Sequence, residues 1–148
     1  MYVKINRGYQ IKRKQYFSIN QLALSIDPNA IDEDNKNHEN FTSLKIILYN
    51  NTEGDDKEKE EKVFYFYPSD SPVTIGRSKC SITLDYSFLS KRHCEINYNR
   101  EEEVWEINDG YKRNVSTNGI WMLLKTKYEV HETTHVKIGN NILKIGIH

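Results

Sequence analysis

The chain has 148 residues, with 21 Lys and Arg balanced by 21 Asp and Glu for a formal net charge of zero. That length suits one domain with an extension, large enough to bury a core unaided. A neutral chain lacks the basic footprint of a general nucleic-acid binder. No apolar run approaches the roughly 18 residues that cross a bilayer, so neither nucleic acid nor membrane is expected as a partner.

The opening segment, MYVKINRGYQIKRKQ, breaks every apolar pair with a charge or an amide and has no secretory core. An intracellular, reducing setting is therefore expected; cytoplasm, nucleus and a cytoskeletal or ciliary assembly are not distinguished. In that setting Cys80 and Cys94 are expected as thiols rather than a disulfide. The sequons at Asn40, Asn50 and Asn114 are chance matches. Within the first 26 residues, Val3 and Ile5 alternate as in a strand, as do Leu22, Leu24 and Ile26. YFSINQLALSI also admits a short helix; the expectation is one or two extra strands packed on the main domain.

Two acidic stretches follow, Asp27 to Asn40 and Asn50 to Lys62, with too few apolar residues to repay ordering by burial. The first is expected to be a linker or disordered loop and the second a long hairpin loop, both solvated. Around and after them run short β-type segments rich in branched and aromatic residues. They are Leu44–Tyr49, Val63–Tyr67, Val73–Ile75, Ser81–Leu84, His93–Tyr98, Val104–Asn108, Ile120–Leu124, Val136–Ile138 and Ile142–Ile147. Val104, Trp105 and Ile107 mix faces, and Trp105 belongs in the core. Turn signals separate these segments, among them Gly76, Asn108-Asp109-Gly110, Asn118-Gly119 and Gly139-Asn140-Asn141. Many short strands with regular turns and no convincing long helix predict an all-β sandwich or barrel. The division expected is residues 1–43 as an N-terminal extension, with a linker at 27–40, and residues 44–148 as the domain.

Four features stand in fixed order, each at the mouth of a predicted strand. They are Gly76-Arg77, Ser90-Lys91-Arg92-His93, Trp105-Glu106-Ile107-Asn108-Asp109 and Ser116-Thr117-Asn118-Gly119. A phosphate monoester carries about −1.5 to −2 charges and three acceptor oxygens at neutral pH. Holding one takes an Arg fork, a second cation and short hydroxyl or backbone donors converging from adjacent loops. Arg77 and Ser90-Lys91 supply those types.

Together, in this order and within an all-β pattern, the four features resemble the forkhead-associated (FHA) family over roughly residues 44–148. The resemblance implies a two-sheet antiparallel sandwich whose loops at one end grip a phosphothreonine; recognition of phospho-motifs through Arg clusters is a general mode of that family. By position it implies that Arg77 binds phosphate oxygens, Ser90 donates its hydroxyl and Lys91 adds a second charge. Thr117 contacts the phosphothreonine or its neighbouring backbone, and Asn118 holds the peptide main chain. Gly76 and His93 are implied as structural support, with Gly119 beside them. Asn118-Gly119 also suits a plain hairpin turn, and Arg92 reads as a strand residue facing solvent.

The sequence departs from the family pattern in three places. Asp109 and Ser116 lie seven positions apart where relatives have about three, so roughly four residues are inserted within Gly110–Val115. Lys112 and Arg113, inside the insertion, read as solvated rather than as an extension of the pocket. Ile120 replaces the usual Thr, and Thr134-His135 the usual Gly-Asp. His131-Glu132-Thr133-Thr134-His135 matches the HExxH zinc-protease motif, but that chemistry needs both histidines on one helical face. Paired threonines between strand-like segments predict strand and turn instead. A metal cluster of Cys80, Cys94 and His93 is not expected, because His93 and Cys94 point to opposite faces of one strand.

The expected function is that of a phosphothreonine-peptide-binding adaptor, with no catalysis, cofactor or metal, whose partner is a phosphothreonine-containing protein. The alternative is a scaffold subunit of a larger complex with the phosphate pocket unused.

Overall fold

The computed structural model describes residues 1–32, 42–50, 61–125, 128–130 and 133–146. Among these residues, thirteen strands form two sheets. The first thirty residues supply β1 (Tyr2–Ile5), β2 (Tyr9–Ile11), β3 (Gln15–Ile19) and β4 (Leu22–Ala30). The remainder are β5 (Ser43–Asn50), β6 (Glu61–Phe66), β7 (Val73–Gly76), β8 (Ile82–Thr83), β9 (Cys94–Asn99), β10 (Val104–Asp109), β11 (Ile120–Leu123), β12 (Thr133–Ile138) and β13 (Asn141–Gly146). The larger sheet runs β13-β12-β1-β11-β3-β4-β5-β6 and the smaller β2-β10-β9-β7-β8. All pairings are antiparallel except β7 with β8. The expected all-β two-sheet sandwich is the observed fold.

Period-two burial explains the strands. Leu44, Ile46 and Leu48 of β5 point into the core while Lys45, Ile47 and Tyr49 face outward. On β10, Trp105 and Ile107 share the buried face while Val104, half-buried, lies on the other, so the three mix faces as expected. Trp105 packs edge-on against Tyr98, ring centroids 5.2 Å apart. Phe17, Ile26, Leu44 and Ile46 from the large sheet meet Ile75, Ile96 and Ile107 from the small one in a single apolar cluster.

The first thirty residues depart most from expectation. They contribute four strands rather than one or two, and these are interleaved with the rest. β1 lies between β11 and β12, β3 between β11 and β4, and β2 pairs with β10 in the other sheet. The segment that also admitted a helix is the β3–β4 hairpin, pairing Ile19 with Leu22. Its two-residue turn needs a positive φ, which Asn20 supplies at 50°.

The first acidic stretch is also more structured than expected. Asp27 to Ala30 end β4, with Asp27 opposite Lys45 and Ala30 opposite Ser43 across a register shift. Pro28, which has no N–H to give a ladder, sits at that irregularity. Asp32 then accepts a hydrogen bond from the Tyr67 hydroxyl at 2.8 Å. The rest of the stretch lies outside the described residues. So does most of the second, although the β5–β6 pairing that flanks it is a hairpin, as expected.

Because β11 has β1 and β3 as its two neighbours, a fragment of residues 44–148 would leave it unpaired on both sides. That fragment is expected to show no cooperative thermal unfolding by circular dichroism. Phe17→Ala in the whole chain should cost about 3–5 kcal/mol in denaturant titration, as for other buried aromatic truncations.

Candidate functional site

The end of β7, the start of β9, the end of β10 and the start of β11 all lie at one end of the sandwich. Antiparallel pairing places Ile75 beside Cys94 and Cys94 beside Asp109. Three connections therefore converge there: β7–β8, β8–β9 and β10–β11. These carry every residue singled out as a phosphopeptide ligand.

The β7–β8 and β8–β9 connections are bonded backbone to backbone. Arg77 N–H donates to the Ser90 carbonyl at 3.0 Å and Ser78 N–H to the Lys91 carbonyl at 3.1 Å. Such closeness demands a glycine at 76. A Cβ there would stand 2.3 Å from the Lys91 carbonyl oxygen and 2.9 Å from the Arg92 Cα. The Arg77 and Lys91 side chains are left exposed, and neither has an ion-pair partner among the described residues.

Ser90 joins the third connection. Its half-buried hydroxyl oxygen accepts the Thr117 N–H at 3.1 Å, and its own N–H donates to Nδ1 of His93 at 3.1 Å. The His93 ring is fully buried, with Nε2 2.9 Å from the Gly119 carbonyl oxygen. An Nδ1 that accepts and an Nε2–H that donates define the neutral tautomer. Burial holds the imidazole below its ordinary pKa; the Gly119 hydrogen bond and the Asp109 charge oppose that shift. The backbone of His93 completes the clamp, donating to Ile75 and accepting from Gly110 at 2.7 Å.

Asn118 spans two connections: its amide donates to the Phe88 carbonyl at 2.7 Å while its own carbonyl accepts the Trp121 indole N–H at 3.1 Å. Asn118-Gly119 is not a hairpin turn, because it leads from β10 in one sheet to β11 in the other. Gly119 has a φ of +72°, a conformation that favours glycine.

The insertion within Gly110–Val115 leaves this framework intact. Tyr111 and Asn114 exchange two backbone hydrogen bonds, of 2.9 and 3.0 Å, which close the extra residues into a turn of their own. Across its mouth the buried Ser116 hydroxyl donates to the Asp109 carboxylate and accepts the Gly119 N–H at 2.9 Å. The seven-residue spacing thus still delivers a direct Asp–Ser contact. Arg92 does not lie on a strand: β9 begins at Cys94, and the Arg92 guanidinium sits 4.2 Å from the centre of the Tyr111 ring. Nothing in the sequence links that pair, which the fold alone brings together. Asp109 and Ser116 were traceable through their places in the motifs.

Cys80 and Cys94 are both free thiols. Burial pushes the Cys94 thiol pKa far up, and the Cys80 thiol donates towards the Ser78 and Lys91 carbonyls. No metal-binding group occurs among the described residues. Thr133, Thr134 and His135 of the HExxH match lie on β12, paired with Gly146, Ile145 and Lys144; His131 and Glu132 lie outside the described residues. No helix among the described residues is long and apolar enough to cross a membrane.

The FHA domain family model matches residues 73–139, from the first residue of β7 to the β12–β13 turn. By this match, residues 73–139 are an FHA domain. No curated protein and no solved structure matches it. An FHA domain is a protein–protein interaction module of a generally non-catalytic, phosphopeptide-binding kind. All eight residues named from the sequence, from Gly76 to Gly119, fall inside the matched span.

Two outcomes follow for the FHA framework. Gly76→Ala is expected to lose about 1–3 kcal/mol of stability, read by denaturant titration, because its clash is with backbone. For His93, an unfolded imidazole takes a proton as pH falls below about 6.5, whereas the folded one resists until its lowered pKa is reached. Stability due to His93 is thus present in full above that value and lost on acidification. Thermal midpoints should fall from about pH 7 to about pH 5, and His93→Gln should flatten that acid limb.

Proposed function

We propose that this FHA domain binds phosphothreonine peptides through Arg77, Ser90, Lys91, Thr117 and Asn118, and that it acts by equilibrium binding without catalysis. The observation that carries this reading is the position of Ser90. Its carbonyl, N–H and hydroxyl oxygen each hold a different neighbour, respectively Arg77, His93 and Thr117. One residue therefore sets the spacing of the three connections a phosphate would touch.

The roles follow from chemistry. Arg77 offers a planar fork to two phosphate oxygens, and Lys91 adds a compact second charge. With its oxygen occupied by Thr117 N–H, the Ser90 hydroxyl still has a proton to donate. Asn118, whose amide is committed to Phe88, presents its carboxamide oxygen to a peptide N–H. The threonine methyl adds about 0.8 kcal/mol over serine when buried. Two free thiols support an intracellular, reducing setting.

A second reading, a scaffold subunit that leaves the pocket idle, draws on β13. Every residue of this edge strand is exposed, Ile142 and Leu143 each by more than half, and an open apolar edge is where another chain can add a strand.

Arg77→Ala removes one or two charge-assisted hydrogen bonds of about 1.5–3 kcal/mol each, so peptide affinity should fall at least about tenfold. Titration of an oriented phosphothreonine peptide library against both proteins measures this; no Arg77-dependent binding would refute the phosphopeptide reading. A partner chain covering the Arg77, Ser90 and Lys91 loops would support the scaffold.

A further inference from the structure

We infer that the inserted turn at residues 110–115, together with Arg92, forms a second anion-reading element that selects phosphothreonine peptides bearing another acidic or phosphorylated side chain nearby. The inference rests on the phosphopeptide reading above and specifies the partner of that site.

Placement comes first. The turn leaves the framework at Asp109 and rejoins it at Ser116, two residues bonded to each other, and Thr117 follows at once. On its other flank, Gly110 N–H is held by the His93 carbonyl, and Arg92 directly follows Lys91. The turn thus stands beside the proposed phosphate ligands on both chain paths.

Charge comes second. Tyr111 is approached by two cations, the Arg92 guanidinium at 4.2 Å and the Lys112 ammonium at 5.3 Å from its ring centre. A ring face attracts cations, and this one ring draws two of them. Arg113 next to them is exposed. Arg92, Lys112 and Arg113 have no ion-pair partner among the described residues. The one carboxylate sharing the recess under the turn is Glu95, half-buried and lined up with Arg7 and Lys112. In a chain of zero net charge, these three cations and two more at Arg77 and Lys91 outnumber the Glu95 and Asp109 carboxylates beside the turn.

Rigidity comes third. The paired Tyr111–Asn114 hydrogen bonds fix the turn, and a Cβ on Gly110 would meet the Asn114 carbonyl oxygen at 1.8 Å. Lys112 itself is held in the left-handed region, at a φ of 55°. Its ammonium is therefore presented from a set backbone, which lowers the ordering cost of meeting an anion.

The test uses fluorescence anisotropy on the full chain with three phosphothreonine peptides, whose flanking residues are neutral, carboxylate-rich, or carry a second phosphate. The acidic and doubly phosphorylated peptides are expected to bind about three- to tenfold tighter than the neutral one, with the advantage shrinking as salt rises. In Lys112→Asn/Arg113→Gln, where Asn tolerates the left-handed backbone, that ratio should fall to about one, with thermal unfolding checked alongside. Tyr111→Leu, which frees Arg92, should lower the ratio part of the way. A ratio of about one in the unaltered protein, with Arg77-dependent binding retained, overturns this inference alone. So does a ratio that survives the double variant. Absence of binding to all three peptides overturns the phosphopeptide reading and this inference with it. Oligonucleotide binding that the double variant abolishes, without any peptide preference, also overturns it.

Discussion

A single buried imidazole holds one end of this sandwich together. His93 accepts from Ser90 at Nδ1 and donates to Gly119 from Nε2, so one ring fixes the separation of two connections that belong to different sheets. Only the neutral ring does this. A second ring proton would face the Ser90 N–H, donor against donor, on a fully buried ring. The low dielectric around His93 and the geometry of its partners therefore reinforce one another.

The rest of the site is arranged around that ring by short polar contacts that leave nothing wasted. No buried side-chain nitrogen or oxygen among the described residues lacks a partner. Asp109 is the instructive case, a carboxylate at 3 % exposure. The Ser116 hydroxyl satisfies it, and the same hydroxyl takes the Gly119 N–H. The chain can cross from one sheet to the other there because polar groups of the crossing find partners both within it, as Ser116 does, and in the neighbouring connection, as Thr117 and Asn118 do. The ligand-type side chains Arg77, Lys91 and Thr117 contribute backbone to this framework and leave their side chains exposed, which separates the task of holding the loops from that of meeting a partner.

How much of this was legible in the sequence depended on the range of the interactions involved. From β5 to β13 the strands could be read because alternation is a local property, and the observed limits fall within three residues of expectation at every end. The residues before 44 could not be read as fully. The partners of β1, at β11 and β12, lie more than a hundred positions away, and nothing local announces them. Asn20 is a partial exception: its place between two alternating runs marks a two-residue turn, and a helix across it would have had to ignore that. Within the candidate site, residue types such as Arg77 and Ser90 were legible because they are the types that holding a phosphate would take. The stacking of Arg92 on Tyr111 was not, since it depends on a turn whose closure only the folded chain reveals.

The interleaving of β1 also bears on how this protein is made. Residues 2–5 leave the ribosome well before the strands they pair with, which among the described residues begin at Ile120. At common synthesis rates that partner follows on the order of ten seconds later. For that interval Val3 and Ile5 belong to an unpaired strand, and β3 and β4 can form their hairpin without it. The central seam of the larger sheet thus closes late, because Tyr2–Ile5 and Ile120–Leu123 must find each other across more than a hundred residues. Such long-range pairing slows folding. It makes this seam the place where a chaperone has most to protect during synthesis.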